Sequence, residues 1–174
     1  MSPEEKGHQD SEEKGRQASV EGFANEYIAV GLLMKRYQNV SLVDLPLSTY
    51  DLIIARKNTD GSEDIIRAQT KTARKMISFV GGLRGGKDRQ YKSDIKKYRQ
   101  STKTSDVVIG VKEEEPGKYV LYFVPTCLIE YLDQDSISLS KIECLKENYD
   151  ILENCKNRDF VIQKYREECS KKKS

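Results

Sequence analysis

Four residues carry most of the chemistry this sequence can offer: Asp51, Gln69, Lys71 and Glu26. Strand side chains alternate between two faces, so Asp51, Ile53 and Ala55 share one side of the stretch STYDLIIAR. On EDIIRAQTKTA the same rule puts Arg67, Gln69 and Lys71 together. Between them lies NTDG (58–61), whose Asp60-Gly61 suits a tight hairpin. A hairpin closed there gives strands of about ten residues each and returns Gln69 and Lys71 to the end that holds Asp51. An acid, an amide and a lysine at one sheet edge could hold a hard cation such as Mg²⁺, which neutralises a phosphate and acidifies a bound water. The lysine could orient or deprotonate that water, or stabilise developing charge. These residues suit metal-assisted phosphodiester hydrolysis. The plainer alternatives are a strand-edge acid at Asp51, a surface lysine at Lys71 and a solvent-facing helix residue at Glu26.

The elements that must position these groups are legible from pattern. Residues 1–17 contain no Val, Ile, Leu, Phe or Tyr and read as a disordered polar tail. From Ala18 the spacing of Phe23, Ala24, Tyr27, Ile28 and Gly31 predicts a helix, N-capped by Ser19 and ending near Tyr37. It carries Glu26, with Glu21 as a competitor further from the helix centre. Strands are expected in NVSLVDLP, in the hairpin already described, and in MISFVGG. GGLRGGKDRQ (81–90) reads as a flexible loop and SDIKKYRQ (93–100) as a short basic helix capped by Ser93. Two strong strands follow, DVVIGV (106–111) and KYVLYFVP (118–125), joined by KEEEPG. The remainder holds a short helix (TCLIEYL), a possible strand (SISLSKI) and charged helical ends. The order of helices and strands points to an α/β sandwich with a mixed sheet.

In this arrangement the chain resembles the PD-(D/E)XK nuclease superfamily. That family carries an acid on a helix, an Asp on the next core strand, and (D/E/Q)-x-K on the strand after it. The matching positions here are Gly22-Phe23-Ala24-Asn25-Glu26, Tyr50-Asp51 and Gln69-Thr70-Lys71. Some restriction and intron-encoded homing endonucleases in the superfamily use Gln-x-Lys. Tyr91, Asp94, Tyr98, Asp106 and YFVP also look like the intron-associated branch. The resemblance spans roughly Ala18 to Pro125. It implies a restriction-endonuclease-like core, with a mixed central sheet of about four to five strands flanked by helices. It further implies a Mg²⁺- or Mn²⁺-dependent deoxyribonuclease. Asp51, Gln69 and Glu26 would be its metal ligands, with Lys71 acting on the attacking water. Tyr50 stands where the namesake Pro often does, and Gln69 replaces the second acid. An amide oxygen is a weaker Mg²⁺ ligand than a carboxylate. The same fold could therefore be an inactive nucleic-acid-binding module. A protein-interaction domain is a further alternative.

Charge supports a polyanionic partner. Residues 56–103 contain 14 Lys/Arg against 5 Asp/Glu, leaving 16 basic and 23 acidic residues elsewhere. Arg74, Lys75, Arg84, Lys87, Arg89, Lys92, Lys96 and Lys97 are the candidate phosphate contacts, and DNA is the expected partner. Tyr91 and Tyr98 lie among them, as base contacts or as packing residues. Two active sites are needed to cut a duplex, so a homodimer is expected. The single histidine, His8, leaves no base for a serine or cysteine triad. Four cysteines without a CxxC pair argue against structural zinc and read as reduced thiols. With no apolar run of roughly 20 residues, no membrane segment is expected and a cytoplasmic location follows by default. Residues 18–132 would form the nuclease-like core and residues 133–174 a C-terminal helical appendage.

Overall fold

A computed structural model describes residues 3–45, 48–81 and 98–169, with side chains from Glu13 onward. In chain order the elements are α1 (Pro3–Met34), β1 (Asn39–Leu42), β2 (Leu52–Lys57), β3 (Glu63–Thr72), β4 (Met76–Ser78), β5 (Val80–Gly81) and β6 (Tyr98–Arg99). After these come β7 (Val107–Glu115), β8 (Lys118–Pro125), α2 (Thr126–Leu132), β9 (Ser136–Ser138), α3 (Tyr149–Glu153) and α4 (Arg158–Glu168). The main sheet has five strands in the order β1-β2-β3-β7-β8. All its pairs are antiparallel except β3 with β7, so the sheet is mixed, as expected.

The β2–β3 hairpin closes as the turn chemistry requires. Gly61 takes φ +84°, a left-handed value that costs glycine little, and Asp60 Oδ1 accepts from the Ser62 N–H at 2.9 Å. The resulting register pairs Leu52 with Ala68 and Lys57 with Glu63. On one face of the sheet Leu52, Ile54, Ile66, Ala68, Ile109 and Phe123 pack with Ala29 and Leu33 of α1. On the other, Val108, Tyr122 and Val124 pack with Leu128 and Ile129 of α2 and Val161 of α4. β7 and β8 are thus covered on both faces and read as continuous apolar runs, whereas β2 and β3 alternate.

The structure differs from the sequence reading in four places. The first helix begins at Pro3 rather than Ser19. Residues 3–17 are rich in Glu, Lys, Gln and Arg, good helix formers that give no apolar periodicity, and Pro is tolerated in a first turn. Tyr98 and Arg99, read as helical, instead form β6 against β5. The Tyr98 ring crosses Gly81 so closely that a Cβ there would lie 2.6 Å from its Cζ, so any other residue would force the ring to shift. Cys144 and Cys169 form a disulfide with Cα atoms 5.5 Å apart, so only Cys127 and Cys155 keep free, buried thiols. The long return of the chain through α4 that joins them leaves no mark on cysteine spacing. Finally, the appendage after residue 132 is not only helical, and the strand expected in SISLSKI is present as β9. β9 pairs with β4, and Ile137, Leu139, Ile142 and Leu145 enter the second core. No described helix is long and apolar enough to cross a membrane.

Candidate active site at an open sheet edge

β2 pairs with β3 only as far as Leu52↔Ala68, while β3 runs on beside β7 to Thr72↔Val111. Residues 69–72 therefore have a neighbouring strand on one side only. Asp51 sits where β2 peels away, its N–H donating to the Ala68 carbonyl at 2.9 Å. Its carboxylate then takes over the missing strand's work. Oδ2 accepts from the Thr70 backbone N–H at 2.7 Å and from Gln69 Nε2 at 2.5 Å. Strand parity thus brings Asp51 and Gln69 into contact, as the hairpin argument required.

Glu26 approaches from α1. The helix is pinned to the end of β3 by the preceding residue, buried Asn25, whose Nδ2 donates to Thr72 Oγ1 at 2.8 Å. Burial pushes the Glu26 carboxyl up from 4.5 to about 7, and the charge of Asp51 adds to this while Lys71 opposes it. Lys71 is shifted down, first by burial, against the pull of Asp51 and Glu26. The three ionisable groups are mutually within electrostatic reach. A half-buried carboxyl that titrates near neutrality beside a depressed lysine is the kind of perturbation that clusters at working sites.

Asp51 and Glu26 offer hard oxygens, and Mg²⁺ is commonly held by one or two carboxylates plus waters and substrate phosphates. Among the described residues no group of three or more His, Cys, Asp or Glu forms a metal cage, so two carboxylates are the charged donors at hand. Thr70, between Gln69 and Lys71, has the one buried side-chain polar atom among the described residues without a hydrogen-bond partner, its hydroxyl oxygen. This donor set fits a loosely held, hydrated Mg²⁺ or Mn²⁺. The Gln69 amide N–H, not its oxygen, faces Asp51.

Of the candidate phosphate contacts, exposed Arg74 is paired with Glu21 at 2.7 Å, which takes Glu21 out of competition with Glu26. Lys75 is exposed. Arg84, Lys87, Arg89, Lys92, Lys96, Lys97 and Tyr91 lie outside the described residues. A cleft of about 530 Å³ between α1 and the ends of β3, β7 and β8 adjoins this region, lined by Asn25, Thr72 and Arg74 among others. None of the four candidate catalytic residues lines it, so the quartet occupies the open edge. Sequence reasoning missed two supports. Arg67 clamps Asp106 with bonds of 2.8 Å and 3.2 Å, fixing the start of β7 against β3. Gln100, buried, reaches Gln69.

No family model matches the sequence, and no curated protein matches it. The structure aligns with that of a bacterial homing endonuclease, I-Ssp6803I, at a TM-score of 0.54 and 13% identity, over 77% of this chain and 91% of that one. The fold is nuclease-like. At this identity the likeness speaks for architecture alone. Within this nuclease-like fold, the candidate quartet stands where a five-stranded mixed sheet opens its edge beside the first helix.

Proposed function

We propose that this protein is a metal-dependent endonuclease hydrolysing DNA phosphodiester bonds, of the PD-(D/E)XK type in its Gln-x-Lys form. The observation that carries the reading is the gathering of Asp51, Gln69, Lys71 and Glu26 at the edge vacated by β2, where the Glu26 carboxyl is raised and the Lys71 ammonium lowered, each chiefly by burial, in the field of Asp51. The homing-endonuclease likeness supports the fold this requires. Asp51 and Glu26 would hold Mg²⁺ or Mn²⁺, which when bound neutralises phosphate charge and acidifies water. Lys71 Nζ orients the attacking water and accepts its proton, a role eased by its depressed pKa. The basic segment from Arg74 to Lys97 binds the DNA backbone, and two copies act on the two strands.

The test is cleavage of plasmid, branched and single-stranded DNA with Mg²⁺ or Mn²⁺, alongside Asp51→Ala and Lys71→Ala. Cleavage by wild type and its loss in both variants is the expected result. Sedimentation with and without duplex DNA checks the dimer. One observation favours a second reading, an inactive nucleic-acid-binding module: Gln69 turns its amide N–H rather than its oxygen toward Asp51. Salt-sensitive binding with no cleavage under either metal would establish it.

A further inference from the structure

The Gln69 NH₂ donates to Asp51 Oδ2 and lies 3.4 Å from the Thr70 carbonyl, and its Oε1 meets a second amide, Gln100, on the side away from Asp51. Gln100 is 1% exposed and every hydrogen-bonding position of its amide is used. Nε2 donates to the Thr49 carbonyl at 3.3 Å and to Gln69 Oε1 at 3.2 Å. Oε1 accepts from Thr104 Oγ1 at 2.6 Å and from Ser105 Oγ at 3.0 Å. Its backbone N–H donates to the Phe79 carbonyl at 2.8 Å, tying this residue to the turn between the small strands.

The direction of this chain of amides is not arbitrary. Hydroxyls can rotate to donate or to accept, so Thr104 and Ser105 would tolerate either end of Gln100. The Thr49 carbonyl can only accept. It therefore requires the Gln100 NH₂ on its own side, which is also the side facing Gln69. Gln69 must answer with Oε1, and its NH₂ is left pointing at Asp51 Oδ2. Reversing Gln69 alone would set two NH₂ groups against each other and two oxygens against each other. Buried polar groups left facing like partners lose their hydrogen bonds without regaining water, which disfavours that arrangement.

We propose that Gln100 is a positioning residue that fixes Gln69 as a hydrogen-bond donor to Asp51, so that Gln69 orients the carboxylate instead of binding the cation. The proposal rests on the endonuclease reading for its consequence in catalysis, but the amide relay itself does not. It also accounts for an amide standing where a second acid is more usual. A carboxylate at that position would accept from Gln100 but repel Asp51, whereas an amide can accept from one and donate to the other.

The test compares Gln100→Met, of similar length but without the amide, with Thr104→Val, which removes one hydroxyl from the same cluster but leaves the Thr49 carbonyl to hold the Gln100 amide in its direction. Three readouts are taken on the full chain: thermal stability, Mn²⁺ affinity by calorimetry, and NMR of the Gln69 side-chain amide in metal-free protein. Removing a group that orients a metal ligand typically costs about 10–100-fold in metal affinity or activity. We expect Gln100→Met to lose Mn²⁺ affinity and kcat on that scale, with KM for DNA unchanged and the carboxylate-bonded Gln69 amide signal lost. Thr104→Val should lower stability and leave affinity and kcat near wild type. The proposal is overturned if wild type shows no hydrogen-bonded Gln69 amide. It is also overturned if Gln100→Met binds Mn²⁺ as wild type does, or if both variants lose affinity in proportion to stability. Should wild type cleave nothing, the endonuclease reading fails, while the amide signal and Mn²⁺ affinity still decide the relay.

Discussion

The Glu26 carboxyl sits at about 7 in the fold against 4.5 when free, because burial and the neighbouring Asp51 penalise its charge. A pKa raised on folding contributes stability that is fully present below the unfolded value and lost as pH rises through the folded one. We therefore expect the metal-free protein to lose stability between pH 4.5 and about 7, and Glu26→Gln to flatten that stretch of the curve. Denaturant midpoints across the window check this; an unaltered slope in the variant would place the titration elsewhere. A bound divalent cation reverses the preference by favouring the carboxylate, so stabilisation by Mg²⁺ should grow over the same range. Lys71 invites a sharper test. Arginine stays protonated at any working pH, so Lys71→Arg keeps the charge but removes the proton acceptor. If Lys71 moves a proton, kcat falls about 10²–10⁴-fold in Lys71→Arg as in Lys71→Ala, with DNA affinity retained in the arginine variant. Recovery of cleavage by arginine would make the side chain an electrostatic partner only. At this scale the sequence declared Asp51, Gln69 and Lys71 through strand parity and the hairpin turn. It was silent on Gln100, because a buried amide at the end of a basic run has no periodic signature.

The elements position these residues through a few close approaches, and one of them is β5 against β6. A methyl added at Gly81 would meet the Tyr98 ring at 2.6 Å, and Gly81 is buried. Overpacking of that kind typically costs about 1–3 kcal/mol, so Gly81→Ala should destabilise on that scale. Adding Tyr98→Ala should recover much of the loss, because it removes the clash. Chemical denaturation of the two single variants and the double variant gives the coupling directly; simple additivity would rule out the ring as the cause. The same pair explains what pattern reading could and could not reach. β2, β3, β7 and β8 announce themselves by alternation, by continuous apolar runs and by a turn at Asp60-Gly61. β6 does not, because two residues in a lysine-rich stretch carry no period, and their pairing depends on a glycine 17 positions earlier. The helix beginning at Pro3 was hidden for a related reason, since helix propensity without an apolar stripe leaves no signal of packing.

Taken as a whole, the molecule separates its charges along the chain. Residues 56–103 hold 14 basic and 5 acidic groups, while the remainder is predominantly acidic. Such an excess matters to a polyanion more than to the fold, because each lysine or arginine that meets a phosphate releases condensed counterions. The described part of the molecule ties several basic groups internally: Arg67 to Asp106, Arg74 to Glu21, and Arg99 to Asp133 at 2.5 Å. Those pairs are partly committed before any ligand arrives. In the proposed function, DNA binding then draws on Arg84, Lys87, Arg89 and Lys92 of the same basic run as well as on Arg74. Replacing all four by Gln should weaken duplex binding uniformly across sequences. It should also lower the slope of log affinity against log salt by about 0.9 for each phosphate no longer neutralised. Arg74→Gln, whose side chain already has a partner, should change that slope by less than a single phosphate would. Mn²⁺ affinity should be unaffected in every variant, because the proposed role of these side chains is toward phosphate alone. Fluorescence anisotropy over a salt series, with calorimetric Mn²⁺ titrations alongside, measures both. An undiminished slope in the quadruple variant would move the DNA-binding surface elsewhere on the molecule. A slope that falls together with metal affinity would mean that the basic segment supports the catalytic edge itself.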